Sequence, residues 1–547
     1  MSDITIFKAR KILTMIPNRP EATHVAVREG RILGAGSLED LAGWGAYALD
    51  ERFADKVLMP GFVEGHAHTM EGSAWNRVYC GWFDRMDPDG KVWSGLKSVD
   101  AVLDRLRAAE AALSDPAAPL AGWQFDPLYM PGAVFSRHEL DRVSTTRPVA
   151  VLHASGHILV ANSVALEMAG LLREGINHQS YPLGEDGLPT GILLGPEARL
   201  AIARHVGMAE AIATNAESDL RAFSRLCVRT GTTTITDLAA QLPEPGVVSM
   251  VAVTQQPDWP VRLVPFRTFL GMKPEALIAE VQRLAGLSHD KLRLGGIKIH
   301  VDGSIQGFTA RLRWPGYFNG APNGLWYIAP EHLTEILERA LAARVPVHLH
   351  TNGDQATQLV LETLEAALQK HPSPDHRFTL QHCQLADAAQ LRQAARLGMC
   401  VNLFANHIYY WGEQHYAQTV GPERARRMNA CRTALDAGAP LAIHCDAPVT
   451  PLGPLFTAWC AVNRISSEGR VLGPEECITV HEALRAITLG AAHTLHLDGE
   501  LGSIETGKRA DFAVLEEDPT AVAPEALKDV RVWGTVLGGV AFQAGTV

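Results

Sequence analysis

His66-Ala67-His68 closes the apolar run Met59-Pro60-Gly61-Phe62-Val63-Glu64-Gly65. Pro60-Gly61 reads as a turn and Phe62-Val63 as extended chain. Side chains alternate along an extended backbone, so His66 and His68 face the same side and form a ligand pair for a divalent transition metal. An H-x-H also occurs on solvated strands and loops, so the pair gains weight only from the rest of the chain. Lys298, His350, His382 and Asp446 each end a similar short apolar run. Each alone has an ordinary reading: a core histidine bonded to backbone, a helix-capping aspartate, a lysine reaching for solvent. Six such residues at matching positions point to a metal site.

The elements that must position them follow a β–α alternation. Apolar runs at 62–68, 232–237, 261–266, 297–301, 345–350, 378–382, 399–404 and 441–446 read as strands, with helix-like segments such as 274–285, 330–343, 355–370 and 388–397 between them. Eight strands in this alternation predict an α/β fold, a (β/α)8 TIM barrel, in which chemistry sits at the C-terminal strand ends. The six residues lie at that end. The link of about 70–220 after strand 1 holds a further apolar run at 148–152 and is expected to be an insertion over the mouth of the barrel. Short alternating strands at 4–7, 11–14, 24–28, 31–34 and 57–58, and again at 502–504, 511–515, 530–537 and 540–543, are expected to combine into one small β-sandwich domain. The expected division is 1–58 and 491–547 for that domain and 59–490 for the barrel.

Length and composition agree. A chain of 547 residues needs a large domain and an accessory one. Apolar residues at 47% and charged residues at 20% describe a globular protein. A net charge of −11 without a basic run argues against nucleic acid or an anionic membrane as partner. No apolar segment approaches a membrane span, and residues 1–7 lack the core of a signal peptide. The eight cysteines contain no C-x-x-C pair and read as packing residues in a reducing compartment, so a cytoplasmic enzyme is expected. The oligomeric state stays open, a homodimer included.

With these runs in hand, the chain resembles the amidohydrolase superfamily of metal-dependent hydrolases, in particular the family-3 branch that includes N-substituted formamide deformylases. The resemblance rests on PGFVEGHAH (60–68), GWQFDPLYMPG (122–132), GHILVANSVALEMAG (156–170), GTTTITD (231–237), IKIHVDGSIQG (297–307), HTNGDQA (350–356), LQHCQ (380–384), HCDAPVT (444–450) and GELGSIETGKRADFAVLEEDP (499–519). It implies that His66, His68, Lys298, His350, His382 and Asp446 are the metal and catalytic residues. His66, His68 and Asp446 would hold the more buried ion, and His350 and His382 the more exposed one. Lys298, its ammonium disfavoured beside cations, would add carbon dioxide as a bridging carbamate. The plainer alternative pairs Lys298 with Asp302 or with a substrate carboxylate. One or two divalent ions, with zinc suiting this donor set, would supply a hydroxide, and Asp446 would shuttle its proton to the leaving nitrogen.

The chain departs from the family pattern at Glu64, where aspartate is usual, at His444-Cys445 ahead of Asp446, and at Gln355. His157 and Asn162 in the insertion are the substrate-contact candidates from the resemblance, with Asp302 and Trp123 as weaker ones. His300 and His348 are expected to be buried supports, and Cys383 and Cys445 packing residues. The expected reaction is hydrolysis of a carbon–nitrogen bond other than a peptide bond, in a small-molecule amide of the N-acyl or N-formyl type. An isomerase, lyase or deaminase on the same centre, and a non-catalytic homologue, remain as alternatives.

Overall fold

The computed structural model describes residues 4–208 and 215–546; residues 1–3, 209–214 and 547, at the margins of the expected segments and inside the expected insertion, lie outside the described residues. Eight parallel strands form one sheet in chain order: Phe62–Glu64, Thr232–Ala240, Arg262–Thr268, Gly296–His300, Val347–Thr351, Thr379–His382, Cys400–Leu403 and Leu441–Ile443. The sheet curls until its two ends meet just past the strand tips. There the His68 N–H donates to the Ala447 carbonyl at 2.7 Å and the Asp446 N–H to the His66 carbonyl at 3.1 Å. This is a TIM-barrel-like arrangement.

The two-residue period sorts its side chains. Ile297, Ile299, Val347, Leu349, Leu380, Val401 and Leu403 point outward into the main core, against Leu277 and Val281 of the helix Pro274–Ala285, Leu333 and Leu337 of Pro330–Ala343 and Val360 and Leu364 of Asp354–Lys370. The alternate residues Lys298, His348, Gln381 and Asn402 are buried too, but face the barrel interior. Proline opens the first two of those helices, and Asp387 and Gln390 form a reciprocal capping box on Ala388–Arg396, so the helix starts are encoded locally.

Between the first two barrel strands the chain builds a separate five-stranded sheet, in the order Ile192–Leu194, Ile158–Ala161, Val149–His153, Leu120–Phe125, Val78–Tyr79. One face packs through Trp123, Leu152 and Leu159, the other through Phe125, Val151 and Val160 against the helix Val99–Ala111.

The chain ends join in one seven-stranded sheet, in the order Val540–Gln543, Val532–Leu537, Phe512–Leu515, Tyr47–Pro60, Ile4–Leu13, Glu21–Arg28, Arg31–Gly36. This corrects the expectation of a two-sheet sandwich: the ladder is continuous from edge to edge. Leu58, Phe512 and Val514 pack with Phe7 and Phe53 on one face, while Val57, Met59, Ala513 and Leu515 turn to the barrel core. The strands expected at 4–7 and 11–14 are a single strand whose pairing slips at Ala9, a bulge that resets the alternation. The segment 502–504 forms no strand; its Ile504 N–H makes one bond to the Thr14 carbonyl at 2.9 Å. Among the described residues no helix is long and apolar enough to cross a membrane.

Candidate metal centre

The barrel interior below the strand tips is a polar network built from the inward residues. His66 Nδ1 lies 2.7 Å from Gln381 Oε1, Gln381 Nε2 donates to His348 Nδ1 at 2.8 Å, and His348 Nε2 reaches the Thr494 carbonyl at 3.0 Å. Asn402 also donates to Gln381 Oε1 at 3.0 Å. His348 is therefore a buried support, and the chain fixes His66 so that its Nε2 points to the mouth.

At that end the donor atoms converge. Asp446 Oδ1 lies 3.2 Å from His68 Nε2 and 3.4 Å from His66 Nε2, and Asp446 Oδ2 lies 3.8 Å from His382 Nδ1. Donor atoms of His66, His68 and Asp446 lie within 4.8 Å of one another, and so do those of His66, His382 and His444. Burial holds His66, His382 and His444 well below the ordinary histidine range, so they are neutral lone-pair donors. His382 Nδ1, Asp446 Oδ1 and both ring nitrogens of His444 are buried without a hydrogen-bond partner. Buried polar atoms are ordinarily satisfied, and lone pairs facing lone pairs call for a cation. The residues present thus fit a divalent metal ion.

Lys298 lies beneath the cluster, fully buried, with Nζ 3.5 Å from His66 Nε2. Burial pushes its ammonium down to about 7, against a weaker pull from the Asp446 charge. His350 sits to one side. Its Nδ1 meets His382 Nε2 at 3.0 Å, and its Nε2 meets the Gly303 carbonyl at 3.1 Å and Asn352 Nδ2 at 3.0 Å. Five of the six expected residues therefore surround one point, and His350 stands one imidazole away from it. Glu64 braces the ring of ligands: it accepts from the His66 N–H at 3.1 Å and from Cys445 Sγ at 2.9 Å. Burial pushes its carboxyl up to about 8, so it is protonated at neutral pH. Burial also raises the thiols of Cys383 and Cys445, which marks them as packing residues.

Above the cluster is a cavity of about 200 Å³, lined by His66, His68, His382 and Asp446 on the barrel side and by Trp123, His153, His157 and Arg199 from the 78–203 region. His157 and Trp123, the expected substrate contacts, both line this cavity, and the His157 ring is 5.2 Å from that of His350. Two expectations are corrected. Asn162 is fully buried in the inserted sheet, where its side chain accepts from the Val149 and Ala165 N–H groups and donates to the Ser144 and Arg147 carbonyls. Asp302 accepts three backbone N–H bonds, from Arg311, Asn352 and Gly353, each at 2.9 Å, and organises loops behind the site. All capacity of Asn162 is used there, and Asp302 has no part in the cavity wall.

A sequence profile of the amidohydrolase family matches residues 54–542. The chain belongs to the amidohydrolase family. This amidohydrolase is 28% identical over 540 residues to YtcJ of Bacillus subtilis, with 96% of this chain and 97% of the relative covered. It is 27% identical over 555 residues to the N-substituted formamide deformylase of Arthrobacter pascens, covering 99% and 98%. A solved structure of an uncharacterised metal-dependent hydrolase from Pyrococcus horikoshii shares its fold, with a TM-score of 0.72 at 20% identity over 95% of this chain and 99% of that one. Two residues of this site carry no role in the sequence reading: His444, met there only as a departure from the family pattern, and Arg199. His444 was visible in principle, because it stands two residues before Asp446 and so shares its side of an extended chain. Arg199 was not, because only the folded insertion carries it to the cavity.

Proposed function

We propose that this amidohydrolase is a metal-dependent hydrolase of a carbon–nitrogen bond in a small N-acyl or N-formyl amide. The observation that carries the reading is the set of unpartnered donor atoms of Asp446, His382 and His444 converging with His66 and His68 at the floor of the cavity. His66, His68 and Asp446 would hold a divalent ion, with His382 and His444 as further imidazole donors; nitrogen and carboxylate ligands of this kind suit zinc. Bound there, the ion supplies a water acidic enough to act as hydroxide near neutral pH and a polarised carbonyl.

The protein's own residues do the rest. Asp446 faces both the cluster and the cavity, so it takes a proton from the attacking water and returns it to the amide nitrogen. The carbon–oxygen bond forms, the carbon–nitrogen bond breaks, and acid and amine leave in equal amounts. An amide nitrogen is a poor leaving group until it is protonated, which is why a positioned carboxyl matters. His157, which burial holds down to about 3, is a neutral N–H donor for the substrate carbonyl. Burial lowers the Lys298 ammonium to about 7, so Lys298 is the residue that would carry a carbamate and, with His350 and His382, supply further donors. The eight free cysteines agree with a reducing, cytoplasmic setting.

The test is metal analysis of dialysed protein together with product analysis on N-formyl and N-acetyl amines. Stoichiometric metal and equimolar amine and acid are expected. In Asp446→Asn, turnover should fall by about 10²–10⁴-fold with much of the metal retained. Unchanged turnover would remove Asp446 from proton transfer, and protein without transition metal would sink the reading.

A further inference from the structure

Among the described residues the cavity wall contains one guanidinium, that of Arg199, and no described carboxylate pairs with it. Other buried or half-buried arginines have partners: Arg85 pairs with Glu71, Arg262 with Asp511 and Arg424 with Asp354, and Arg464 donates to the carbonyls of Arg426, Met428, Asn429 and Leu472. Arg199, on the helix Pro196–Ala203, is half-buried and lines the cavity together with His68, His157 and Asp446. Among the described residues no carboxylate pairs with it, and the titratable group that acts on its charge is the Tyr327 phenol. A guanidinium held in a partly dry wall without an anion is unfavourable, and the penalty is relieved when an anion arrives.

We propose that Arg199 is the anion-binding residue of the cavity, and that the substrate is a small amide carrying a carboxylate, as an N-acylated amino acid does. This rests on the amide-hydrolase reading and narrows it. The planar fork of arginine matches a carboxylate with two parallel bonds, which favours this anion in a small cavity. The geometry sets the spacing. His157 and Arg199 line the same cavity, and the His157 ring is 5.2 Å from the His350 ring beside the donor cluster. A cavity of about 200 Å³ takes both ends of such a substrate when the carboxylate and the scissile carbonyl are a few bonds apart. Asp446 and Asp237, the latter bound by Thr69 Oγ1 at 2.5 Å, also line the cavity and would repel an anion placed beside them. Met70, Trp123, Leu152 and Leu270 leave an apolar lining for the amino-acid side chain.

The experiment compares N-formyl- and N-acetyl-amino acids with their carboxamides, which are nearly isosteric and uncharged, on metal-loaded wild type, Arg199→Met and Arg199→Lys. Wild type should prefer the acids by about 10- to 100-fold in kcat/KM, the range of one charge-assisted contact, with the difference mainly in KM. In Arg199→Met the acid-to-carboxamide ratio should collapse towards one at unchanged metal content, and Arg199→Lys should restore part of it. Equal rates on acid and carboxamide in wild type would overturn the proposal, as would an equal loss on both in Arg199→Met. If wild type cleaves neither series, the amide reading falls. Calorimetric binding of N-acetylphenylalanine then decides the proposal: tighter binding to wild type than to Arg199→Met supports it, and equal binding overturns it.

Discussion

Single residues carry the chemistry of this amidohydrolase, and two of them separate the possible forms of its centre. His444 is fully buried, stacks on His66 with ring centroids 4.7 Å apart, and leaves both nitrogens unpartnered. If it is a metal donor, His444→Leu should lower metal affinity by about tenfold or more, read by competition with a chelator, while thermal stability of the metal-free protein holds or rises because an unsatisfied polar group is removed. Equal affinity would leave His444 a support only. Lys298 tests the carbamate. Lys298→Ala should lose activity that formate, acetate or propionate partly restores, because a free carboxylate can occupy the vacated space; failure of every acid to rescue would favour a plain lysine. The six residues read from the sequence were legible because each ends an apolar run. Arg199 was not, since no local pattern tells that a helix in the long insertion lines the same cavity as the barrel residues.

At the scale of elements, the two-residue period explains why the inward residues are His, Lys, Gln and Asn while their neighbours are Ile, Val and Leu. It fails at the strand tips. His382 and Asp446 adopt left-handed backbone angles, φ 67° and 56°, and Cys383 follows at 30°. Those angles re-aim the side chains away from strict alternation, at a local energetic cost that functional sites commonly bear. Asparagine tolerates this conformation as aspartate does, so Asp446→Asn tests proton transfer without disturbing the turn. Helix starts were readable wherever proline or a capping pair marks them; the strand Tyr47–Pro60 was largely missed because six of its first ten residues are exposed and five of the ten are charged. The helix Val480–Arg485 gives a pH prediction. Thr479 and Glu482 form a capping box, and the side-chain contact with Arg432 together with those bonds lowers the Glu482 carboxyl from 4.5 to about 2. A depressed folded-state value contributes stability above the unfolded value that fades as the pH falls from 4.5 through 2. Glu482→Gln should therefore lower Tm at pH 7, and the gap from wild type should close between pH 5 and pH 2, a window given by those two values. A gap independent of pH would assign the effect to capping geometry alone.

Across the whole molecule, ion pairs join parts that the sequence shows only as separate segments. Arg85, in the chain that follows the first barrel strand, pairs with Glu71 at 2.5 Å and donates to the Pro448 carbonyl at 2.8 Å and that of Thr450. Glu71 comes three residues after His68 and Pro448 two after Asp446, so one guanidinium ties both ligand-bearing loops to the insertion. The pair is almost fully buried. Removing one partner, as in Arg85→Met, should cost about 3–5 kcal/mol in denaturant unfolding and lower metal occupancy; Arg85→Met with Glu71→Leu should recover much of the stability. Additive losses would show that the pair is not coupled. The barrel itself was legible from eight apolar runs. The terminal sheet was legible only as strands, because its order depends on contacts between opposite ends of the chain.

That sheet has a consequence for how the protein is made. Tyr47–Pro60 pairs on one side with Ile4–Leu13 and on the other with Phe512–Leu515. During synthesis at about 5–20 residues per second, its second edge waits, open, until nearly the whole barrel has left the ribosome. A bare strand edge invites pairing with other chains, so the nascent chain must be protected from its neighbours until its last strands arrive, and ribosome stalling within the barrel should be the stage at which it aggregates.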